Sequence, residues 1–267
     1  MRLATAVLPA SVLAAFAIAS HASVRDAGAC SCMSPHAAIL TPDRVDDAPL
    51  DTKVRLEVPT SVGPVKPRVV LRAHGGADVA VTTRTSVNGA LDTIELTPSA
   101  PLAASTQYEV AVVYDQQHPS TFVLGTFKTG TATDTTPPRI DKLGAVTAQM
   151  FGGFGSSCSI PGPWIDVETI AASDPSRPKA QLVFGVWRGN AAGVIDATKP
   201  PEAIVRRGYG DGLTIGRRSM CDPHDFALPR AGVVWLGIAA IDEAGNASPM
   251  KRVQVNMSNA APPKRTP

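Results

Sequence analysis

The strongest strand signal in the chain is the run YEVAVVY at residues 108–114, which is rich in aromatic and β-branched residues. Residues 93–97 (TIELT) alternate apolar and polar, as a half-buried strand does. Six or seven short strands of this kind between residues 41 and 130 predict a β-sandwich. Further strand-like runs lie at residues 54–58, 68–72, 79–82 and 125–129, and turn signals lie at Gly75-Gly76, Asn88-Gly89 and residues 98–101.

The start of the strongest run carries a more specific signal. Leu102, a turn and then Tyr108 at the opening of a long strand predict a tyrosine corner. In such a corner the ring packs in the core and the hydroxyl bonds to backbone upstream. The alternative is an ordinary strand tyrosine.

The second half of the chain is less regular. Residues 182–187 (LVFGVW) predict a buried strand, and residues 233–241 (VVWLGIAAI) are so uniformly apolar that both faces of that strand should be covered. Residues 242–246 then turn the chain into a last strand within residues 250–257, which predicts a closing hairpin. The glycine-rich residues 142–165 predict a wide loop.

Composition agrees with an all-β chain. Proline supplies 24 of 267 residues, or about 9% against a usual level of about 5%. The formal net charge is only +2, so no basic excess points to nucleic acid. We predict two immunoglobulin-like β-sandwich domains in tandem, at residues 41–130 and 139–258. A Thr/Pro linker at 131–138 joins them, and a disordered tail follows at 259–267.

The N-terminus predicts export. Arg2 precedes an almost unbroken apolar run at residues 3–19, and Ser20 and Ala22 supply small residues for cleavage after Ala22. We therefore predict a signal peptide at 1–22, followed by a cysteine-containing arm at 23–40. An uncleaved anchor is the alternative, but the run is just short of the roughly 20 residues that span a bilayer. The mature protein would be periplasmic, cell-surface or extracellular, and not membrane-spanning.

All four cysteines follow the signal, so an oxidising compartment would favour disulfides. Cys158 and Cys221 fall in the second predicted domain and form the favoured pair, which could stabilise that domain by up to about 4 kcal/mol. For Cys30 and Cys32 two alternatives stay open: a strained small ring that joins them, or reduced thiols.

Several segments resemble a known family. Residues 135–140 (TTPPRI) are similar to the linker that opens bacterial Ig-like modules in tandem arrays, and residues 238–248 to the last hairpin of bacterial Ig-like or fibronectin-III-like domains. The segments that resemble the bacterial Ig-like module first described in surface-layer proteins are residues 94–98, 101–102, 106–110 and 125–130.

The resemblance implies extracellular spacing, display or adhesion, and it implies no catalytic residues. We therefore expect an exported structural or interaction protein whose partner is a protein or glycan of the cell envelope. The chain contains no His-Glu-x-x-His and no Gly-x-Ser-x-Gly motif, so we do not expect an enzyme.

Copper binding is the alternative function. Cys30, Cys32, Met33 and His36 lie within seven residues and offer ligands that suit Cu(I). The chain around residues 115–127 is also similar to the periplasmic copper carriers, an Ig-like family with a histidine at the mature N-terminus and an Asp-x-His pair late in the fold. That resemblance assigns His36 to the first position, and Asp115 and His118 to the pair, with a spacing one residue longer. The other prediction is that no cofactor binds.

Two weaker candidates remain. Asp242, Glu243 and Asn246 carry oxygen atoms that suit Ca²⁺, but too few ligands converge locally, so a turn is the preferred interpretation. Arginine pairs on two predicted adjacent strands could form a basic patch for acidic glycans or lipid headgroups, against the alternative of a solvated face. The four arginines are Arg206, Arg207, Arg217 and Arg218.

Overall fold

The computed structural model describes residues 37–59, 68–88, 91–113, 121–150, 162–207, 211–216 and 226–260. These residues form sixteen strands and one short 3-10 turn, and no helix among them is long and apolar enough to cross a membrane. The strands are β1 (Ala38–Thr41), β2 (Val54–Pro59), β3 (Arg68–Ala73), β4 (Val81–Asn88), β5 (Leu91–Pro98), β6 (Gln107–Val113), β7 (Thr121–Lys128), β8 (Arg139–Leu143), β9 (Val146–Met150), β10 (Pro163–Val167), β11 (Ile170–Ser173), β12 (Val183–Arg188), β13 (Ala203–Val205), β14 (Leu213–Gly216), β15 (Val233–Ile241) and β16 (Lys251–Asn256).

The first seven strands form one sandwich. One sheet has the order β1-β2-β5-β4 and the other β3-β6-β7, which is the arrangement of a seven-stranded immunoglobulin constant-type domain. The alternating apolar residues of both sheets fill one core, which includes Leu56, Leu71, Leu96, Val110 and Phe127. Strand β1 begins at Ala38, inside the range 23–40 predicted as an arm.

Two local signals in the sequence of this domain, the Asn88-Gly89 turn and the tyrosine corner, agree with the structure. Strands β4 and β5 pair antiparallel up to Asn88 and Leu91, so the hairpin predicted at Asn88-Gly89 is present. The tyrosine corner is confirmed: the backbone N–H of Ala103 donates to the Tyr108 hydroxyl at 2.9 Å. The Tyr108 ring is buried and stacks on Phe127 with centroids 5.6 Å apart.

The second sandwich packs a four-stranded sheet, β13-β12-β15-β16, against shorter sheets of order β14-β10-β9 and β11-β8. Ile165, Phe184, Leu236 and Ile238 lie in its core. The predicted strands at 182–187 and 233–241 are present, and β15 and β16 pair as the predicted closing hairpin. The prediction of an all-β fold with two immunoglobulin-like sandwiches is confirmed.

The prediction of a wide loop over residues 142–165 is wrong for its two ends, which form strands, and its middle part, residues 151–161, lies outside the described residues. Strand β9 (Val146–Met150) lies inside this range and pairs with β10 (Pro163–Val167). The pairing continues in the same register between β8 and β11, through backbone bonds at Gly144 and Glu168. The glycines of residues 152–155 outweighed the weak alternation of Val146–Met150 in the sequence.

Candidate functional site: the domain junction

The four-stranded sheet of the second domain is apolar on both faces. The inner face lies in the second core, and the outer face receives Leu40 from β1 of the first domain. The expectation that both faces of residues 233–241 are covered is therefore confirmed for residues 236–241, whereas Val233 at the start of the strand is 51% exposed. The residues of this outer patch are Val183, Trp187, Ile204, Ala239 and Ile241, with Leu40 packed among them.

A glycine makes room for the largest member of the outer patch. A Cβ at Gly185 would lie 2.7 Å from the Trp187 ring and 3.0 Å from Ile241 Cδ1. Glycine at this position therefore lets the Trp187 ring lie over the strand. The indole N–H donates to the carbonyl of Lys199 at 2.8 Å, so the polar edge of the ring is also satisfied.

Hydrogen bonds from side chains of the second domain to the backbone of the first fix the relative position of the two domains. The Gln181 amide pairs with both backbone groups of Asp43: the Asp43 N–H donates to Oε1 at 2.7 Å, and Nε2 donates to the Asp43 carbonyl at 2.6 Å. Arg206 Nε donates to the Leu40 carbonyl at 2.7 Å, and its Nη2 contacts the carbonyls of Ile39 and Leu40. Because these bonds use fixed backbone groups of β1 and the segment after it, they define one docking geometry.

Buried charges form a second layer of the junction. Arg55 on β2 pairs with Glu95 at 2.8 Å and donates from Nη1 to the Asp242 carbonyl at 2.9 Å. Arg177 pairs with Glu243 at 2.8 Å and with Asp47 at 3.3 Å. The Glu243 carbonyl accepts from the Lys53 N–H at 2.7 Å. Both guanidinium groups thus tie residues of the first domain to the turn that follows β15.

Three aspartates lie beside this layer. Asp134 comes from the chain between the domains, Asp174 follows β11, and Asp242 follows β15. All three are buried, and each offers a carboxylate oxygen to a group whose members lie within 4.8 Å of one another. We call this group the aspartate cluster. Like charges packed this closely repel unless a proton or cation lies between them.

The partners of the aspartate cluster are neutral donors. Asp242 accepts from the backbone N–H groups of Gly245 and Asn246 and from the Asn246 side-chain amide. Asp134 accepts from the Thr136 N–H and the Ser176 hydroxyl. Among the described residues, no Lys or Arg forms an ion pair with any of the three carboxylates, while both junction arginines are engaged by Glu95, Asp47 and Glu243.

Burial also disfavours the charged forms of two acids at this turn. The pKa of Asp242 is raised by burial, which outweighs its hydrogen bonds with Asn246 and Gly245, and the charge of Asp134 acts in the same direction. Burial likewise raises the pKa of Glu243, against the opposing effects of the Gln181 N–H and Arg177. The junction thus holds carboxylates in surroundings that oppose their ionisation.

The predicted arginine patch lies partly within the described residues. Arg206 is bound to the carbonyls of β1, and Arg207 lies 3.9 Å from Asp211, with its guanidinium 6.0 Å from the centre of the Phe184 ring. The glycan- or lipid-binding patch stays a prediction. The other sequence-predicted site residues lie outside the described residues: Cys30, Cys32, Met33, His36, Asp115, His118, Cys158, Cys221, Arg217 and Arg218.

The sequence singled out Asp242 of the aspartate cluster but not Asp134 or Asp174. Asp242 and Asn246 were candidates for Ca²⁺, and the preferred interpretation as a turn agrees with the bonds from Gly245 and Asn246 to Asp242. Asp134 and Asp174 carried no signal, because nothing in the sequence places them beside that turn. The Asn246 side-chain amide donates to the Asp134 carbonyl across 112 positions of sequence.

A second feature lies at the edge of the first sandwich. The C-terminal half of β7 is covered, because residues 44–48 bond to the backbone of Thr126 and Lys128. The N-terminal half pairs with β6 and, among the described residues, has no strand on its other side. Phe122 and Val123 lie in this half and are 62% and 41% exposed. We call residues 121–124 the open edge.

Comparison with known proteins gives no family. No family model matches the chain, and no curated protein matches it. Among solved structures, the chain is similar to the fibronectin(III)-like modules of Clostridium thermocellum CbhA, with 14% identity, 82% of this chain and 93% of that chain covered, and a TM-score of 0.26.

Two further structures illustrate the range of these likenesses. The Ig1-2 module of the Drosophila receptor protein tyrosine phosphatase DLAR is 13% identical, with 83% and 98% of the two chains covered and a TM-score of 0.28. The BSP domain of a biofilm-associated protein is 16% identical, with 82% and 30% covered and a TM-score of 0.25. At this distance, nothing these proteins do transfers to the present chain.

Proposed function

We propose that this protein is an exported, non-enzymatic interaction module of the cell envelope or extracellular space, of the bacterial surface-layer Ig-like type. Its partner is a protein that adds an extended segment to the open edge of β7. The single observation that carries this proposal is the exposure of Phe122 and Val123 on a strand half that, within the part of the chain that the structure describes, pairs only with β6.

The open edge has the chemistry of a strand-addition site. A free strand edge presents unpaired N–H and C=O groups that can pair with another polypeptide, and natural proteins usually protect such edges. Here residues 44–48 protect one half of β7 and leave the half with the exposed Phe122. A large exposed aromatic side chain can be buried against a partner, and the backbone groups beside it can form β-sheet hydrogen bonds with the added strand.

The junction supports a role in spacing. The apolar patch, the Gln181 and Arg206 bonds, and the contacts of Arg55 with Asp242 and of Arg177 with Asp47 hold the second sandwich against the first. A partner bound at the open edge would therefore stand at a fixed position relative to the C-terminal domain. The export signal predicted at residues 1–22 motivates the location outside the cytoplasm.

The test is binding of the purified mature protein to envelope fractions of its source organism, with and without protease treatment of the fractions. We expect saturable binding that protease abolishes, and a loss of about tenfold in affinity for Phe122→Ser. The matched control is Val194→Ser, because Val194 is 61% exposed in the second domain.

Equal binding by the wild type, Phe122→Ser and Val194→Ser would refute the open edge as the contact surface. Binding that survives protease but not glycan digestion would refute the protein partner. Intact mass of the exported chain completes the test: a chain that begins at Ser23 is expected, and an unprocessed cytoplasmic chain would contradict export.

A further inference from the structure

We propose that Asp134, Asp174 and Asp242 bind one Ca²⁺ ion, which fastens the chain between the domains to the second sandwich. This site is independent of the partner at the open edge. It also differs in residues and in chemistry from the copper site predicted from sequence. Its ligands are hard carboxylate oxygens, whereas the predicted copper ligands include thiols, a thioether and imidazoles.

The spacing of the oxygen atoms suits one ion of this size. Each aspartate contributes an oxygen, and the three oxygens lie within 4.8 Å of one another. Ligands around Ca²⁺ lie at about 2.3–2.6 Å from the ion, so two of them can be up to roughly 5 Å apart. Oxygens this close together are within reach of a single coordination shell.

An unsatisfied atom points to a missing ligand. Asp174 is only 4% exposed, and its Oδ2 is buried with no hydrogen-bond partner, although Oδ1 accepts from the Ser176 N–H and hydroxyl and the Arg177 N–H. A buried carboxylate oxygen without a donor is costly, and carboxylates buried in this way usually pair with a cation or coordinate a metal.

The hydroxyl of Ser176 cannot satisfy the whole cluster. It lies 2.7 Å from Asp174 Oδ1 and 3.0 Å from both carboxylate oxygens of Asp134, yet it has a single proton to donate. A cation among the three aspartates would remove this shortage, because the hydroxyl oxygen can then serve as a further ligand. Because carboxylates can bind Ca²⁺ through both oxygens, bidentate aspartates would fill most of the remaining positions of a six- to eight-fold shell.

Calcium fits these surroundings better than magnesium. Mg²⁺ requires near-octahedral geometry and keeps several of its waters, whereas Ca²⁺ accepts an irregular, carboxylate-rich shell. All three aspartates are buried, which leaves little room for a hydrated ion. The site would join the chain before β8, the loop after β11 and the turn after β15.

The mechanical consequence follows from the position of Asp134. Its backbone N–H donates to Asp51 of the first domain at 3.0 Å, and its carbonyl accepts from Asn246 of the second domain. An ion on its carboxylate would add a third tie at the same residue. Calcium would therefore stabilise the relative position of the domains as well as the fold.

The experiment is calcium binding to the full mature chain, by isothermal titration and by thermal unfolding in EDTA, CaCl₂ and MgCl₂. We expect one Ca²⁺ per chain and a rise in Tm of roughly 5–10 °C when free Ca²⁺ is one hundred times Kd. A smaller rise is expected in Mg²⁺. An unchanged Tm in Ca²⁺ would overturn the site, and an equal rise in Mg²⁺ would overturn its assignment to calcium.

The Asp174→Asn variant tests whether Asp174 binds the ion or only stabilises the fold. Asparagine keeps an oxygen for the Ser176 and Arg177 bonds and removes one like charge, so Tm in EDTA should not fall, while the calcium-dependent rise should disappear. Asp47→Asn is the control, because Asp47 lies at the junction outside the cluster and should keep the full rise. If Asp174→Asn does not fold, Asp134→Asn gives the same comparison. Retention of the full rise by a folded variant of either residue would overturn the proposal.

Discussion

The two sandwiches secure the ends of their long strands with different chemistry. In the first domain, the Tyr108 hydroxyl accepts from Ala103, five residues upstream, and every group in this corner is neutral. In the second domain, the turn at residues 242–246 closes β15 through Asp242, whose surroundings include Asp134, Asp174, Glu243 and Arg55. The tyrosine corner, which we call the neutral corner, is made of residues close together in the sequence. The turn at residues 242–246, which we call the charged corner, contacts residues that are distant in the sequence, and it joins the two domains.

Among the variants that compare the two corners, Arg55→Ala should cause the largest loss in the free energy of unfolding. Arg55 is one of the residues through which the first domain contacts the charged corner, and its side chain is only 3% exposed. Arg55→Ala would leave Glu95 without its closest cation and the Asp242 carbonyl with only the Gly245 N–H as a donor. We expect a loss of about 3–5 kcal/mol in the free energy of unfolding, measured by urea denaturation.

Arg68→Ala is the control for Arg55→Ala. Arg68 pairs with Asp78 at 3.1 Å, but its side chain is 61% exposed, so the loss should be below about 1 kcal/mol. Equal losses for the two variants would show that the buried network at the junction contributes no more than a surface ion pair.

Leu40→Ala should give the second largest effect and should change the form of unfolding. Leu40 lies in the apolar patch of the second domain, so its truncation should cost about 2–4 kcal/mol of docking energy. We expect calorimetry to resolve two transitions for this variant, because the domains would then unfold with less coupling.

Ile39→Ala provides a matched comparison from the adjacent position. Ile39 lies in the core of the first domain, so its loss should destabilise that domain without releasing the patch. If Ile39→Ala separates the transitions and Leu40→Ala does not, the patch is not what couples the two domains.

The neutral corner should show the smallest effect. Tyr108→Phe keeps the ring stacked on Phe127 and removes only the acceptor of the Ala103 N–H. Since Ala103 is exposed and water can replace the hydroxyl, we expect a loss of about 1 kcal/mol in the urea experiment. A loss as large as that of Arg55→Ala would mean that the neutral corner is not the weaker of the two.

The structure of the first domain could be predicted from the sequence better than that of the second, because its main features arise from local patterns. Alternation, Asn88-Gly89 and the interval from Leu102 to Tyr108 are local patterns, and each corresponds to the structural feature expected of it. Val146–Met150 has the period of a strand, but the glycines beyond it are also typical of a loop. Local pattern alone could not decide between the two interpretations.

The junction was predictable in part. The uniform hydrophobicity of β15 required a cover on both faces, and the structure supplies Leu40. The identity of that cover could not be inferred, since one leucine ahead of Pro42 resembles many others. The aspartate cluster could not be predicted either, because Asp134, Asp174 and Asp242 come from segments far apart in the sequence and meet only in the folded protein.

The outer patch of the four-stranded sheet also bears on the order in which the molecule can be assembled. A chain made from its N-terminus completes the first sandwich before Trp187 and Ile241 exist, so the patch forms against a finished surface. In a fragment that begins at β8, the same residues would lose Leu40 and keep only the partial cover of Ile195 and Met250, and a more exposed apolar surface promotes aggregation. The first domain would then act as an intramolecular template for the second, in addition to any role it has in the mature protein.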